Sequence, residues 1–125
     1  MNDTDASPDS PTHDTEVLYS VVDHVATLTL NAPERMNTIS GPMLAQISEL
    51  LLRADLDSDV RCIVLTGSGR AFCAGLDLQA QMAGPKGGLG NLSGGDATFT
   101  GEFDLRSAPP VVLHNLDTPT ICALN

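Results

Sequence analysis

The chain has 125 residues, with 16 Asp and Glu against 6 Lys and Arg, a formal charge of −10. Its length fits one domain or part of one. With 42% apolar residues, 3% aromatics and no Trp, it would bury roughly 65% of its unfolded surface on Leu, Val, Ile and Ala. The acidic balance argues against nucleic acid and anionic membrane surfaces, which need clustered Lys and Arg, and no apolar run approaches the ~20 residues of a membrane span.

Residues 1–15 (MNDTDASPDSPTHDT) are polar, acidic and Pro-containing, the composition of a disordered tail. They lack the basic and apolar regions of a secretory leader, so a cytoplasmic location is expected. Residues 17–22 and 25–30 (VLYSVV and VATLTL) are β-branched and partly alternating, and Asp23-His24 between them fits a two-residue hairpin turn. His24 at that tip reads as a solvated turn residue, because no metal-type partner lies near it in sequence.

Asn31-Ala32-Pro33 ends the second strand. The spacing then predicts a helix from Gly41 or Pro42 to Leu56, with Ser40 or Gly41 as N-cap and Pro42 in the first turn. Met43, Leu44, Ile47, Leu50, Leu51 and Ala54 recur on one face, with Gln46, Glu49 and Arg53 opposite, so the stripe is core rather than a ligand box. Asp55, Asp57 and Asp59 resemble a calcium loop only superficially. The Gly and closing Glu of such a loop are missing, and the cluster reads as a solvated turn.

Residues 61–66 (RCIVLT) hold four consecutive apolar positions, 62 to 65, the pattern of a parallel strand covered on both faces. A Gly- and Ala-rich loop, 67–75 (GSGRAFCAG), leads to a short helix expected from Leu76 to about Met82. Residues 84–101 carry seven of the eleven glycines and read as a long loop, the core of a Gly-rich flexible segment spanning 84–108. Pro109-Pro110 opens a short helix over 111–116, and Thr120–Leu124 (TICAL) reads as a buried strand. Cys62, Cys73 and Cys122 are odd in number and form no CxxC pair, so neither a disulfide framework nor a zinc site is expected.

The chemistry concentrates at strand 61–66 and the loop after it. A strand–Gly loop–helix unit aims backbone N–H groups into the crevice at the strand's C-terminal end. A dinucleotide fingerprint fits Gly67 and Gly69 but finds Phe72 where the third glycine belongs. A Walker loop lacks its Gly-Lys pair followed by Ser or Thr. The remaining readings are an N–H donor site for a developing oxyanion and a plain connection that binds nothing.

Three segments carry a specific resemblance. Residues 31–40 (NAPERMNTIS) resemble the family segment N-R-P-x-x-x-N-A-L-S. Residues 59–78 (DVRCIVLTGSGRAFCAGLDL) match D-V-R-V-V-V-L-T-G-x-G-x-A-F-C-A-G-x-D-L almost throughout, and 117–125 (DTPTICALN) resembles K-P-V-I-A-A-V-N. Together the chain resembles the crotonase, or enoyl-CoA hydratase/isomerase, superfamily over about residues 17–125, broken by 84–108. The resemblance implies an α/β fold, a spiral of strand-strand-helix turns of which this chain holds an N-terminal part, assembled as trimers or hexamers.

It also implies a CoA thioester as substrate rather than as a resident cofactor, and no metal. Two backbone N–H groups hold the thioester oxygen and stabilise an enolate. The first maps onto Leu76; the second, with the hydratase carboxylates, is expected beyond Asn125. The CoA portion is expected along Arg35, Met36, Thr38, Ala74, Gly75, Asp77 and Leu78. Asp77 reads as a helix-start residue rather than a catalytic acid, since a carboxylate aimed at an oxyanion opposes its formation. Neither Cys73 nor His114 is assigned a role. Ala32 stands where the family often has Arg, and Gln79 where some hydratases have Lys near the CoA phosphates, which puts that ionic contact in doubt. The reaction implied is water addition to a 2-enoyl-CoA in fatty acid oxidation, with isomerase, dehalogenase or hydrolase branches open. Losing one oxyanion donor costs about 10²–10³ in rate, so these residues alone are expected to be inactive. A non-catalytic truncated chain and a nucleotide-binding module using Gly67–Gly75 are the alternatives.

Overall fold

Strands β1 (Val17–Val22) and β2 (Val25–Leu30) form the expected hairpin, paired antiparallel from Val17 against Leu30 to Val22 against Val25. Asp23 (φ 50°) and His24 (φ 66°) make the tight turn in left-handed backbone without glycine. His24 is exposed, and its Nδ1 donates to the Asp59 carbonyl at 2.8 Å, tethering the hairpin tip to the loop before the next strand. The computed structural model describes residues 15–79 and 108–125. Residues 1–14 of the acidic stretch, the Gly-rich segment up to 107 and the remainder of the helix expected to reach Met82 lie outside these.

A short 3-10 turn (Pro33–Arg35) leads to helix α1 (Gly41–Leu56). Ser40 is the N-cap: its Oγ accepts the Met43 N–H at 3.1 Å, one of the donors a helix start leaves unpaired. Gln46 Oε1 accepts the N–H groups of Glu16 and Val17 (2.9 and 3.0 Å), fastening the start of β1 to this helix. Arg53 lies over the Tyr19 ring, 5.0 Å from its centroid, and covers the edge of the same contact.

Strand β3 (Cys62–Gly67) pairs parallel with β2, and β4 (Thr120–Cys122) pairs parallel with β3, giving the order β1-β2-β3-β4. Helix α2 (Pro109–Asn115) packs on α1; its two prolines occupy first-turn positions whose N–H groups would be unpaired in any case. The core lies between the sheet and the helices: Val17, Ala26, Leu28, Leu30 and Ile63 meet Met43, Ile47, Leu51 and Ala54, with Val112 from α2. Full burial of Leu28, Leu51 or Met43 contributes about 1.5–3 kcal/mol each. Among the described residues no helix is long and apolar enough to cross a membrane.

Two expectations are corrected. Among the described residues the 62–65 run is covered on one face only: Ile63 is fully buried, while Cys62 and Val64 alternate to the side of the sheet that carries exposed Leu18 and Val22. The described helices lie on one face only, so continuous apolarity does not mean two-sided burial here. Strand β4 is shorter than 120–124 and exposed throughout, Ile121 being 56% accessible, because among the described residues it pairs only with β3 and forms the sheet edge.

Candidate functional site

At the C-terminal ends of β2 and β3, two loops leave the sheet side by side and are stitched together. From the first come residues 31–39, from the second residues 67–77. Ser68 N–H donates to Leu30 O (2.8 Å), and its hydroxyl reaches Leu30 O and Asn31 Oδ1 (3.0 and 3.1 Å). Farther out, Ala74 N–H donates to Met36 O (3.0 Å), Ile39 N–H to Gly75 O (2.7 Å) and Asp77 N–H to Ile39 O (2.9 Å). The last two bonds make a single parallel bridge between Ile39 and Leu76.

That bridge fixes the direction of the Leu76 peptide. In extended backbone, successive residues turn their polar groups to opposite sides. Gly75 O and Asp77 N–H both face Ile39, so Leu76 N–H faces away from it. Among the described residues it has no acceptor, and Leu76 is 45% exposed. Gly75 has φ +125°, a conformation side-chain-bearing residues rarely adopt, and a methyl group there would meet nothing within 4 Å. Among the described residues, the space beside Gly75 is therefore open. The expected helix does not begin at Leu76. Helical geometry starts at 78, where Asp77 Oδ1 accepts the Gln79 N–H at 3.1 Å. The bridge to Ile39 holds 76 extended, so its N–H is a strand-like donor rather than a first-turn one.

Loop curvature depends on Gly67. A Cβ at that position would lie 2.6 Å from Phe72 O, 2.9 Å from Ala71 O and 2.9 Å from Asn37 Nδ2, contacts no side chain tolerates. Asn37 is fully buried, with φ +54°, next to Met36 at +58°. Its Oδ1 accepts the Ala32 N–H (2.8 Å) and its Nδ2 donates to Ser68 O and Ala71 O (2.9 and 2.8 Å).

Charge sits at one edge of the pair. Arg35 Nη2 lies 3.0 Å from Glu16 Oε2, its Nε 3.6 Å from Asp77 Oδ2, and Nη1 3.9 Å from Glu34 Oε1; Nε also donates to Thr38 O (3.2 Å). Glu16 Oε2 in turn accepts a short hydrogen bond from the Ser40 hydroxyl. The Arg35 cation is thus already surrounded by carboxylates. Asp77 is held by that cation and by its bond at the helix start, an arrangement that orients it structurally.

Of the residues expected to line a CoA moiety, the stitching brings together Arg35, Met36, Thr38, Ala74, Gly75 and Asp77. Leu78 follows in the chain and is exposed. Cys73 is half-buried in the loop and His114 lies exposed on α2. Among the described residues no group of three His, Cys, Asp or Glu could hold a metal ion. Sequence reading missed Asn37 and Ser68 as the fasteners of the loops. A signal existed for Asn37, since Asn is the polar residue that best tolerates left-handed backbone, but its partners lie more than 30 residues away.

Residues 25–125 match the family model described as enoyl-CoA hydratase/isomerase. The chain is 39% identical over 109 residues to 1,2-epoxyphenylacetyl-CoA isomerase of Escherichia coli (strain K12), covering 87% of this chain and 39% of that protein. Over 68 residues it is 50% identical to a probable enoyl-CoA hydratase of Mycobacterium tuberculosis (strain ATCC 25618 / H37Rv), covering 54% of this chain and 27% of that one. The crystal structure of an enoyl-CoA hydratase from Mycobacterium marinum superposes with a TM-score of 0.68 at 34% identity, covering 87% of this chain and 47% of the other. The chain thus spans less than half the length of these relatives. The family model, the sequence identities and the superposed fold agree, and the chain belongs to the enoyl-CoA hydratase/isomerase family.

Proposed function

We propose that this chain supplies the thioester-holding part of an acyl-CoA site, with the Leu76 N–H donating to the thioester carbonyl oxygen and stabilising the enolate that forms from it. The observation carrying this reading is the Leu76 amide, which faces away from Ile39 and has no acceptor among the described residues. A fixed N–H aimed at developing negative charge needs no reorganisation as the charge grows, which is why such donors matter to rate. The CoA arm would run past Met36, Thr38, Ala74 and Leu78. Arg35, committed to Glu16 and Asp77, contributes by holding that wall in place more than by meeting phosphate. The reaction of the full-length enzyme is water addition to a 2-enoyl-CoA in fatty acid oxidation, carried out in the cytoplasm by a trimer or hexamer. The acyl-CoA is the substrate, and no further cofactor takes part.

A nucleotide-cradling loop is the competing reading. It needs several free N–H groups converging on phosphate. Here the amides of Ser68, Ala74 and Asp77 are spent on Leu30, Met36 and Ile39, and Phe72 stands where a dinucleotide fingerprint has its third glycine. Calorimetric titration with an acyl-CoA, NAD and ATP tests the choice: binding of the acyl-CoA alone is expected, and tight nucleotide binding without acyl-CoA binding overturns it. Leu76→Pro removes the donor itself. It is expected to abolish polarisation of a bound thioester carbonyl and to lower turnover of 2-enoyl-CoA about 10²–10³-fold in any form of the protein that catalyses it. Leu76→Ala, which keeps the N–H, should lose far less. Equal losses in the two variants would show that the side chain, not the amide, matters.

A further inference from the structure

We infer that Asn37 is a positioning residue: its buried carboxamide sets the bend of the 67–77 loop and so the outward direction of the Leu76 N–H. The inference rests on the acyl-CoA reading for its functional meaning. Its physical basis is separate. Asn37 is wholly buried, and both hydrogens of its amide are spent on the neighbouring loop, at Ser68 O and Ala71 O, on either side of the bend. Its oxygen and its backbone are spent on its own loop, where Ala32 N–H donates to Oδ1 (2.8 Å) and Asn37 N–H donates to Ala32 O (2.9 Å).

The side chain therefore ties the two loops together between the Ser68–Leu30 bond at one end and the Met36 and Ile39 pairs at the other. Its fit is tight on the far side too, since a Cβ on Gly67 would sit 2.9 Å from Nδ2. The left-handed backbone at 37, an unfavoured state for a residue with a side chain, is what turns the carboxamide inward to meet the second loop. From Ala71, three residues lead to Ala74 on Met36 O and then to Gly75 and Asp77 on Ile39. Asn37 lies between the partners of both ends of this stretch. If the bend relaxes, Leu76 loses the frame that turns its amide outward.

The test compares the unmutated chain with Asn37→Gly and Asn37→Asp. Glycine accepts the left-handed backbone and deletes the carboxamide, so strain relief and loss of the bracket are separated. Aspartate keeps an acceptor for Ala32 N–H but, ionised, has no hydrogen for Ser68 O or Ala71 O. Without ligand, amide exchange at Ala74 and Asp77 should quicken about tenfold or more in both variants, while β2 and the middle of α1 change little. With an acyl-CoA carrying a 13C thioester carbonyl, both variants should still bind, with the carbonyl shift seen in the unmutated chain reduced by at least about half. Unchanged exchange at Ala74 and Asp77, or a full carbonyl shift in Asn37→Gly, overturns the positioning role. So does loss of the folded sheet in both variants, which makes Asn37 a residue of the whole core. An unmutated chain that shows no carbonyl shift overturns the acyl-CoA reading instead, and the ligand-free exchange still decides whether Asn37 sets the loop.

Discussion

The two ends of the β2–α1–β3 unit are held by different forces. Between sheet and helix, Leu28, Leu30, Met43, Leu51 and Ile63 exclude water and are bound by area and packing. At the C-terminal ends of β2 and β3 that area is smaller, with Ala32 in the core and Ile39 and Cys73 packed against it. Residues 31–39 and 67–77 are joined by backbone pairs, two glycines with left-handed backbone, the Asn37 carboxamide and the Arg35 ion cluster. Apolar burial is non-directional, so it tolerates small shifts. Hydrogen bonds fix direction but contribute only about 0.5–1.5 kcal/mol each. The contrast suits a scaffold that must be stable beneath a site that must be aimed.

Breaking the first kind of bonding should have the larger effect. Leu51→Ala opens a void at a fully buried position and should cost about 2–5 kcal/mol, read from the midpoint of urea unfolding. The loss should be global: exchange in β2, α1 and the loop pair should quicken together, because all three then report the same unfolding. Gly67→Ala attacks the second kind. Its methyl would press on Phe72 O and Ala71 O, backbone atoms that cannot rotate away, at a cost of about 1–3 kcal/mol. Here the change should be local, with the amides of 68–77 exposed ahead of those in α1. If Gly67→Ala instead lowers the protection of every element equally, the loops and the core are one cooperative unit and the distinction fails.

This difference also explains what could be read in advance. The apolar stripe of α1 repeats with helical spacing, so its core residues are legible from local pattern, and its cap is narrowed to Ser40 or Gly41, of which the structure uses Ser40. The hairpin followed from two β-branched runs around two turn residues. Local pattern also placed β3, but not its one-sided cover, because Cys62-Ile63-Val64-Leu65 says nothing about which face is open. The match over 59–78 pointed to Leu76 as a backbone donor. What pattern could not supply is the direction of that amide: it is set by Ile39, 37 positions earlier, and by Asn37 acting across a separation of 31 to 34 residues. The start of the helix after 76 was misplaced for the same reason. The pairing with Ile39 is a long-range contact that overrides the local tendency.

A smaller test concerns a polar tie that belongs to the scaffold rather than to the site. Asp55, near the end of α1, accepts the N–H groups of Thr118 (2.8 Å) and Asp117 (3.1 Å), anchoring the turn before β4. The bond to the Thr118 side chain, then that to its backbone, holds the carboxyl below its ordinary value of 3.8; burial opposes them, and the Asp117 N–H adds the least. A depressed native value means that the folded state favours the ionised form. The tie therefore stabilises above pH 3.8 and is lost as pH falls through the lower native value. Asp55→Asn keeps an acceptor oxygen but neither titrates nor carries charge. At neutral pH it should be less stable by under about 1 kcal/mol, since the site is close to solvent. Urea unfolding in steps of pH should show the two proteins converging as the carboxyl protonates. A gap that persists at the acid end would mean that Asp55 acts through shape alone, and one much larger than that at neutral pH would place this tie with the core rather than among the directional bonds.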